Sequence, residues 1–132
     1  MFWVFLLTAI AEVESGCKIH AVGKVGEVSQ YQISPIALKQ YNKMTGETLE
    51  LKDIKKDDTL AFAVAKTLLS KWGDMYYYKY KKQPTVFVYA ILWRQSGNWD
   101  HDQSFDQDRA LRVSNLFYVN KFSINQEGKD ND

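Results

Sequence analysis

Glu14, Ser15 and Gly16 close a run of thirteen residues, MFWVFLLTAIAEV, whose one other charged side chain is Glu12. Trp3, Leu7, Ile10 and Glu14 follow at spacings of four, three and four, so a helix stacks them along one face with the carboxylate at its end. Val4, Phe5, Leu6 and Ala11 make the other faces apolar as well, the pattern of a helix buried on most sides. A carboxylate there is poorly solvated, which disfavours its charged form, and a carboxylic acid that keeps its proton near neutral pH can donate it to a leaving oxygen. The wheel alone is equally compatible with a turn carboxylate that accepts backbone hydrogen bonds. Ser15 has no histidine at triad spacing to act as its base, so the sequence assigns it to shaping the turn rather than to nucleophilic attack.

The remaining chemistry is limited by composition. Cys17 is the single cysteine, and His20 and His101 are the two histidines, which excludes an intrachain disulfide and a Cys/His zinc cage. No metal or cofactor is expected. Seventeen basic and sixteen acidic side chains leave a formal charge of +1, so no strong field draws in a nucleic acid. The aromatic and lysine-rich stretch MYYYKYKKQ, residues 75–83, is the one segment suited to stacking bases, and in a neutral chain it reads as a solvated loop between helices. With 132 residues and 45% hydrophobic content the sequence fits a single folded domain.

The elements that must position Glu14 follow from local signals. Gly16 can end the first helix, although Ala9-Ile10-Ala11 after an apolar run also has the form of a secretory cleavage site, without the usual preceding Lys or Arg. The run is too short to span a bilayer, so no stable membrane insertion is expected. Residues 17–33 read as loop and short extended segments. Ser34-Pro35 is a capped helix start, with an end at Thr45-Gly46. Asp57 and Asp58 start another helix, reaching about residue 72. PTVFVYAILW, 84–93, has the composition of a buried strand and the length of a buried helix, and we favour the helix. A last helix covers about 106–121, and the tail NQEGKDND lacks apolar anchors. The expectation is therefore a mainly α domain over 1–122 with a mobile tail over 123–132.

The order of these pieces resembles a known family. ESG followed by GEVSQYQISP is similar to the signature of the lytic transglycosylase domain, a member of the lysozyme-like superfamily that cuts peptidoglycan. Gly26, Ser29, Gln32, Ile33 and Pro35 fit its Gly-x-x-(Gly/Ser)-x-x-Gln-Ile-x-Pro segment in order. AFAVAKTLLSKW, YAILWRQSG and DRALRVSNLF resemble later segments in sequence, so the resemblance covers most of residues 9–118. It departs at Arg94, where the family usually has Asn, and at Gly97, which comes one position late.

The resemblance implies a small lysozyme-like helical domain with a core catalytic helix and a short loop and extended cleft segment. It implies Glu14 as the catalytic acid that cleaves the bond between N-acetylmuramic acid and N-acetylglucosamine to give 1,6-anhydro products. Glu27 is then a second acid near the cleft, and with it activating water the outcome is hydrolysis, as in a lysozyme. A glycan-binding relative without chemistry is the other alternative. Ser29, Tyr31 and Gln32 would bind sugar hydroxyl and N-acetyl groups, with alternate residues facing the cleft, while Tyr89 and Trp93 would stack on sugars or wall the acid. The implied partner is the peptidoglycan strand, which places the protein outside the cytoplasmic membrane, in the periplasm or cell envelope.

Overall fold

The computed structural model describes residues 1–98 and 104–130, with side chains over 1–98 and 107–123. It is mainly helical, as expected, with six helices and no strand among the described residues. Helix α1, Phe2–Ser15, buries Leu6, Leu7, Ala9, Ile10 and Ala11, so the apolar run forms a core helix. Gly16 ends it in the left-handed conformation at φ 64°.

Helix α2, Pro35–Thr45, starts as its sequence dictates: the Ser34 hydroxyl accepts the Ala37 N–H at 3.0 Å, a cap that contributes about 1 kcal/mol. Helix α3, Leu51–Lys55, is a short element with no counterpart in the sequence expectations. Its start is fixed by Asp53, whose carboxylate accepts the Glu50 N–H at 2.8 Å.

Helix α4, Asp58–Tyr80, begins under the Asp57 cap and runs eight residues beyond the expected end. Over residues 75–80 this corrects the reading of 75–83 as a loop, while 81–83 remain outside the helix. No glycine or proline interrupts the chain between Gly73 and Pro84, and Tyr76 stacks on Tyr80 one turn later with ring centroids 4.8 Å apart. The lysines lie against these rings, Lys79 over Tyr80 at 5.3 Å and Lys81 over Tyr78 at 4.6 Å.

Helix α5, Val86–Arg94, resolves the ambiguous segment in favour of a helix, started by the Thr85 hydroxyl, which accepts the Val88 N–H at 3.2 Å. Helix α6, Ser104–Asp130, passes the expected end near 121 and takes in most of the segment assigned to a tail. Helices α1 and α5 both pack on α6, and α4 contacts α1, α2, α3 and α5. One core results, in which Phe2, Trp3, Tyr89 and Phe117 form an edge-to-face cluster joining α1, α5 and α6.

Candidate active site

The end of α1 faces a cleft of about 210 Å³, lined by Glu14, Glu27, Gln32, Trp72, Trp93 and Arg94 together with Val25, Ser34, Ala37 and Ser96. Glu14 belongs to that lining because the apolar stripe of α1 is buried up to Ile10, and one further turn brings the chain to the core's margin. Its side chain is only 6% exposed.

Burial without a partner would be costly for a carboxylate. Two cations meet it. Arg94, the last residue of α5, brings Nη1 to 3.0 Å from one Glu14 oxygen and 3.4 Å from the other. Arg109 of α6 places its own Nη1 3.6 Å from the first of these oxygens. Neither guanidinium was assigned a site role from the sequence. Arg94 stood out there only as a departure from the expected Asn, and Arg109 lies in a segment that drew notice only for its likeness to a C-terminal helix.

Ser15 does the work of a tie, as its sequence context suggests. Its hydroxyl lies 2.8 Å from the Gln30 carbonyl and 3.2 Å from that of Ala11, and its oxygen accepts the Lys18 N–H at 3.1 Å. The loop carrying Gln30 is fixed by two more helices. The Gln30 amide donates to both oxygens of Asp58 at 3.0 Å at the start of α4, and the Trp93 indole of α5 donates to the Tyr31 carbonyl at 2.9 Å.

Within this loop the backbone reverses tightly. Val28 and Ile33 exchange both backbone hydrogen bonds, at 3.0 and 2.8 Å, and the four residues between them include Ser29 at φ 74° and Gln32 at φ 57°. Such a turn breaks the alternation expected for an extended segment. Ser29 is 1% exposed, with its hydroxyl accepting the Tyr31 N–H, and Tyr31 is buried against Phe62. Neither lines the cleft, and the contacts of both side chains hold the loop. Burial, reinforced by the negative charge of Asp58 and by Cys17, pushes the Tyr31 phenol up to about 12.

Gln32 does reach the cleft, held by its amide N–H groups on the Ser29 carbonyl at 2.8 Å and the Ala21 carbonyl at 3.3 Å. Glu27 also lines it, with one carboxylate oxygen accepting the Val25 N–H at 3.0 Å. Trp93 forms a wall, tilted against Trp72 at 6.1 Å between ring centroids. Tyr89 is elsewhere: half-buried, it packs on Phe2 and Trp3 beside Gly73, against the edge of the core rather than at the cleft.

The far wall is closed by a chain of contacts across three elements. The Trp72 indole donates to the Gln40 side-chain oxygen at 3.0 Å, and the Gln40 amide donates to the Ser96 carbonyl at 3.0 Å. Among the described residues no group of three His, Cys, Asp or Glu side chains is arranged to hold a metal, and no helix is long and apolar enough to cross a membrane.

Fold and site together define a mainly helical domain with a buried, cation-paired carboxylate facing an aromatic-walled polar cleft. Comparison with family models, with curated proteins and with solved structures yields no match to this chain.

Proposed function

We propose that the protein is a peptidoglycan-cleaving enzyme of the lytic transglycosylase type, with Glu14 as its acid and base. The observation that carries the reading is the cleft itself: Glu14 ends a buried helix and shares one concave surface with Gln32, Glu27, Ser34 and Trp93. Gln32 and Ser96 sit there at φ 57° and 49°, backbone conformations that cost roughly 1–2 kcal/mol each for residues other than glycine and that concentrate at functional sites. An open cleft of this size suits one or two rings of a polymer laid across it better than a small molecule enclosed on all sides.

In this reading the bond broken joins N-acetylmuramic acid to N-acetylglucosamine. Glu14 gives its proton to the glycosidic oxygen while the acetamido oxygen of the substrate stabilises the oxocarbenium charge. The resulting carboxylate then takes the proton of the muramyl 6-hydroxyl, and that oxygen closes the 1,6-anhydro ring. Cations at 3.0 and 3.6 Å favour the carboxylate over the acid, so once the ligand is bound Glu14 has to part from Arg109 as well as from Arg94 before the first step. Trp93 would wall the reacting bond, and Gln32 would orient an N-acetyl group. The substrate places the protein in the periplasm or cell envelope.

A second reading is favoured by one observation, the Arg94 contact with Glu14. If that pair persists with ligand bound, the domain holds glycan without cutting it. Mass spectrometry of soluble products from peptidoglycan sacculi decides between them, using the wild type and Glu14→Gln. Anhydro-muropeptides from the wild type and none from the variant support the transglycosylase. Reducing-end products indicate hydrolysis, with Glu27 as the residue to substitute next, and sacculus binding without products indicates the binding domain.

A further inference from the structure

We infer that Arg94 selects glycans that carry a carboxylate beside the bond presented to Glu14, by exchanging its contact with Glu14 for one with that carboxylate. The inference rests on the glycan reading of the cleft, and it names the charged feature of the ligand that the cleft reads. Arg94 is the only cation among the described residues lining the cleft, where Glu14 and Glu27 are both acidic. An anionic ligand entering between two carboxylates is repelled unless the guanidinium receives it.

Accessibility and charge balance both permit the exchange. The Arg94 side chain is 28% exposed against 6% for Glu14, so an incoming ligand reaches the cation rather than the buried acid. Stripping a buried carboxylate of its partner is expensive. Here Arg109 stays within 3.6 Å of Glu14 when Arg94 turns away, and the carboxylate is not stranded. Arg94 exchanges its contact with one carboxylate for a contact with another. A planar guanidinium with five donors can receive the new one in a two-pronged geometry. A glycan without the charge has nothing to offer Arg94, and the Glu14 contact stays closed. The ligand class is therefore a glycan that carries a carboxylate substituent beside the bond meeting Glu14.

Binding tests this separately from cleavage. The probes are a tetrasaccharide alternating N-acetylglucosamine and N-acetylmuramic acid and the same compound with its lactyl carboxylates reduced to alcohols. Affinities are measured calorimetrically for the wild type, Glu14→Gln and Arg94→Asn, each checked by circular dichroism for intact helix. The wild type should prefer the acid form by about tenfold, the scale of one hydrogen-bonded charge contact. Glu14→Gln removes the internal competitor and should widen the preference, whereas Arg94→Asn should abolish it. Retention of the preference in Arg94→Asn, no widening in Glu14→Gln, or failure of all three proteins to bind either probe overturns the inference. An Arg94-dependent preference in a wild type that releases no products from sacculi keeps this inference and removes the cleavage reading.

Discussion

Gly97 offers a test in which two costs separate cleanly. It lies in the turn after α5 at φ +91°, and a methyl group added there would meet Trp72 Nε1 at 2.6 Å and Cδ1 at 2.7 Å. Gly46, which ends α2, has φ +75° and nothing within 4 Å of the same added atom. Gly46→Ala should therefore incur only the backbone penalty of a left-handed residue, roughly 1–2 kcal/mol.

Gly97→Ala incurs that penalty plus overpacking. The indole cannot move aside cheaply, because its N–H is bonded to Gln40 and its ring lies against Trp93. Overpacking of this kind costs roughly 1–3 kcal/mol, giving a total of roughly 2–5 kcal/mol. Urea denaturation of the two variants beside wild type measures the difference, which should separate their midpoints by on the order of 1 M. Trp72 forms part of the cleft wall, so ligand affinity should fall in Gly97→Ala and not in Gly46→Ala. Midpoints that coincide within the error of the fits would refute the close approach of Gly97 to Trp72.

Three further outcomes follow from contacts described above. Ser15→Ala should lose about 1 kcal/mol and speed amide exchange at Val28 and Ile33, because the tie to the Gln30 carbonyl is gone; unchanged exchange there would show that Asp58 and Trp93 hold the loop unaided. Tyr31 keeps its proton in the folded state up to about pH 12 while an unfolded tyrosine loses it near 10, so its contribution to stability is complete below pH 10 and is lost as pH rises through 12. Urea midpoints at pH 9 and pH 11 should fall less in Tyr31→Phe than in wild type, with Tyr41 and Tyr89, both pushed up by burial, supplying the remaining slope; equal slopes would contradict the burial of the phenol. Leu7→Ala, at a fully buried position on α1, should cost roughly 2–5 kcal/mol by thermal or urea unfolding, and a loss below 1 kcal/mol would mean that α1 is not the core helix.

Local signals were legible wherever one residue type dictates one geometry. Ser34-Pro35, Asp57 and Gly16 mark helix ends in the sequence and occupy them in the structure. The α1 stripe ended on Glu14 because apolar residues at helical spacing have little choice but to bury. Helix α3 was missed because five residues are too few for a periodic pattern, although Glu50 followed by Asp53 three places on is a usable start signal. The extension of α4 was missed because a run of tyrosines and lysines was judged by its polarity, whereas those side chains cover one another along the helix.

Of the residues singled out in the sequence, the structure brings Glu14, Glu27, Gln32 and Trp93 to one cleft and places Ser29, Tyr31 and Tyr89 outside its lining. Ser29 and Tyr31 lie away from it for one reason, a tight reversal at two left-handed residues that no period-2 reading anticipates. The pairing of Glu14 with Arg94 and Arg109 was invisible for a different reason. It is a contact between α1 and two helices at the far end of the sequence, and local pattern carries no record of it.

That separation has a consequence for synthesis. About 95 residues lie between Glu14 and Arg109, and α1 finds its packing partner α6 only once that distance has been translated. At cellular elongation rates this takes roughly 5–20 s, during which the apolar side of α1 stands without its principal cover. Slowing translation upstream of α6 lengthens that interval and is expected to lower the yield of folded protein without changing a single residue.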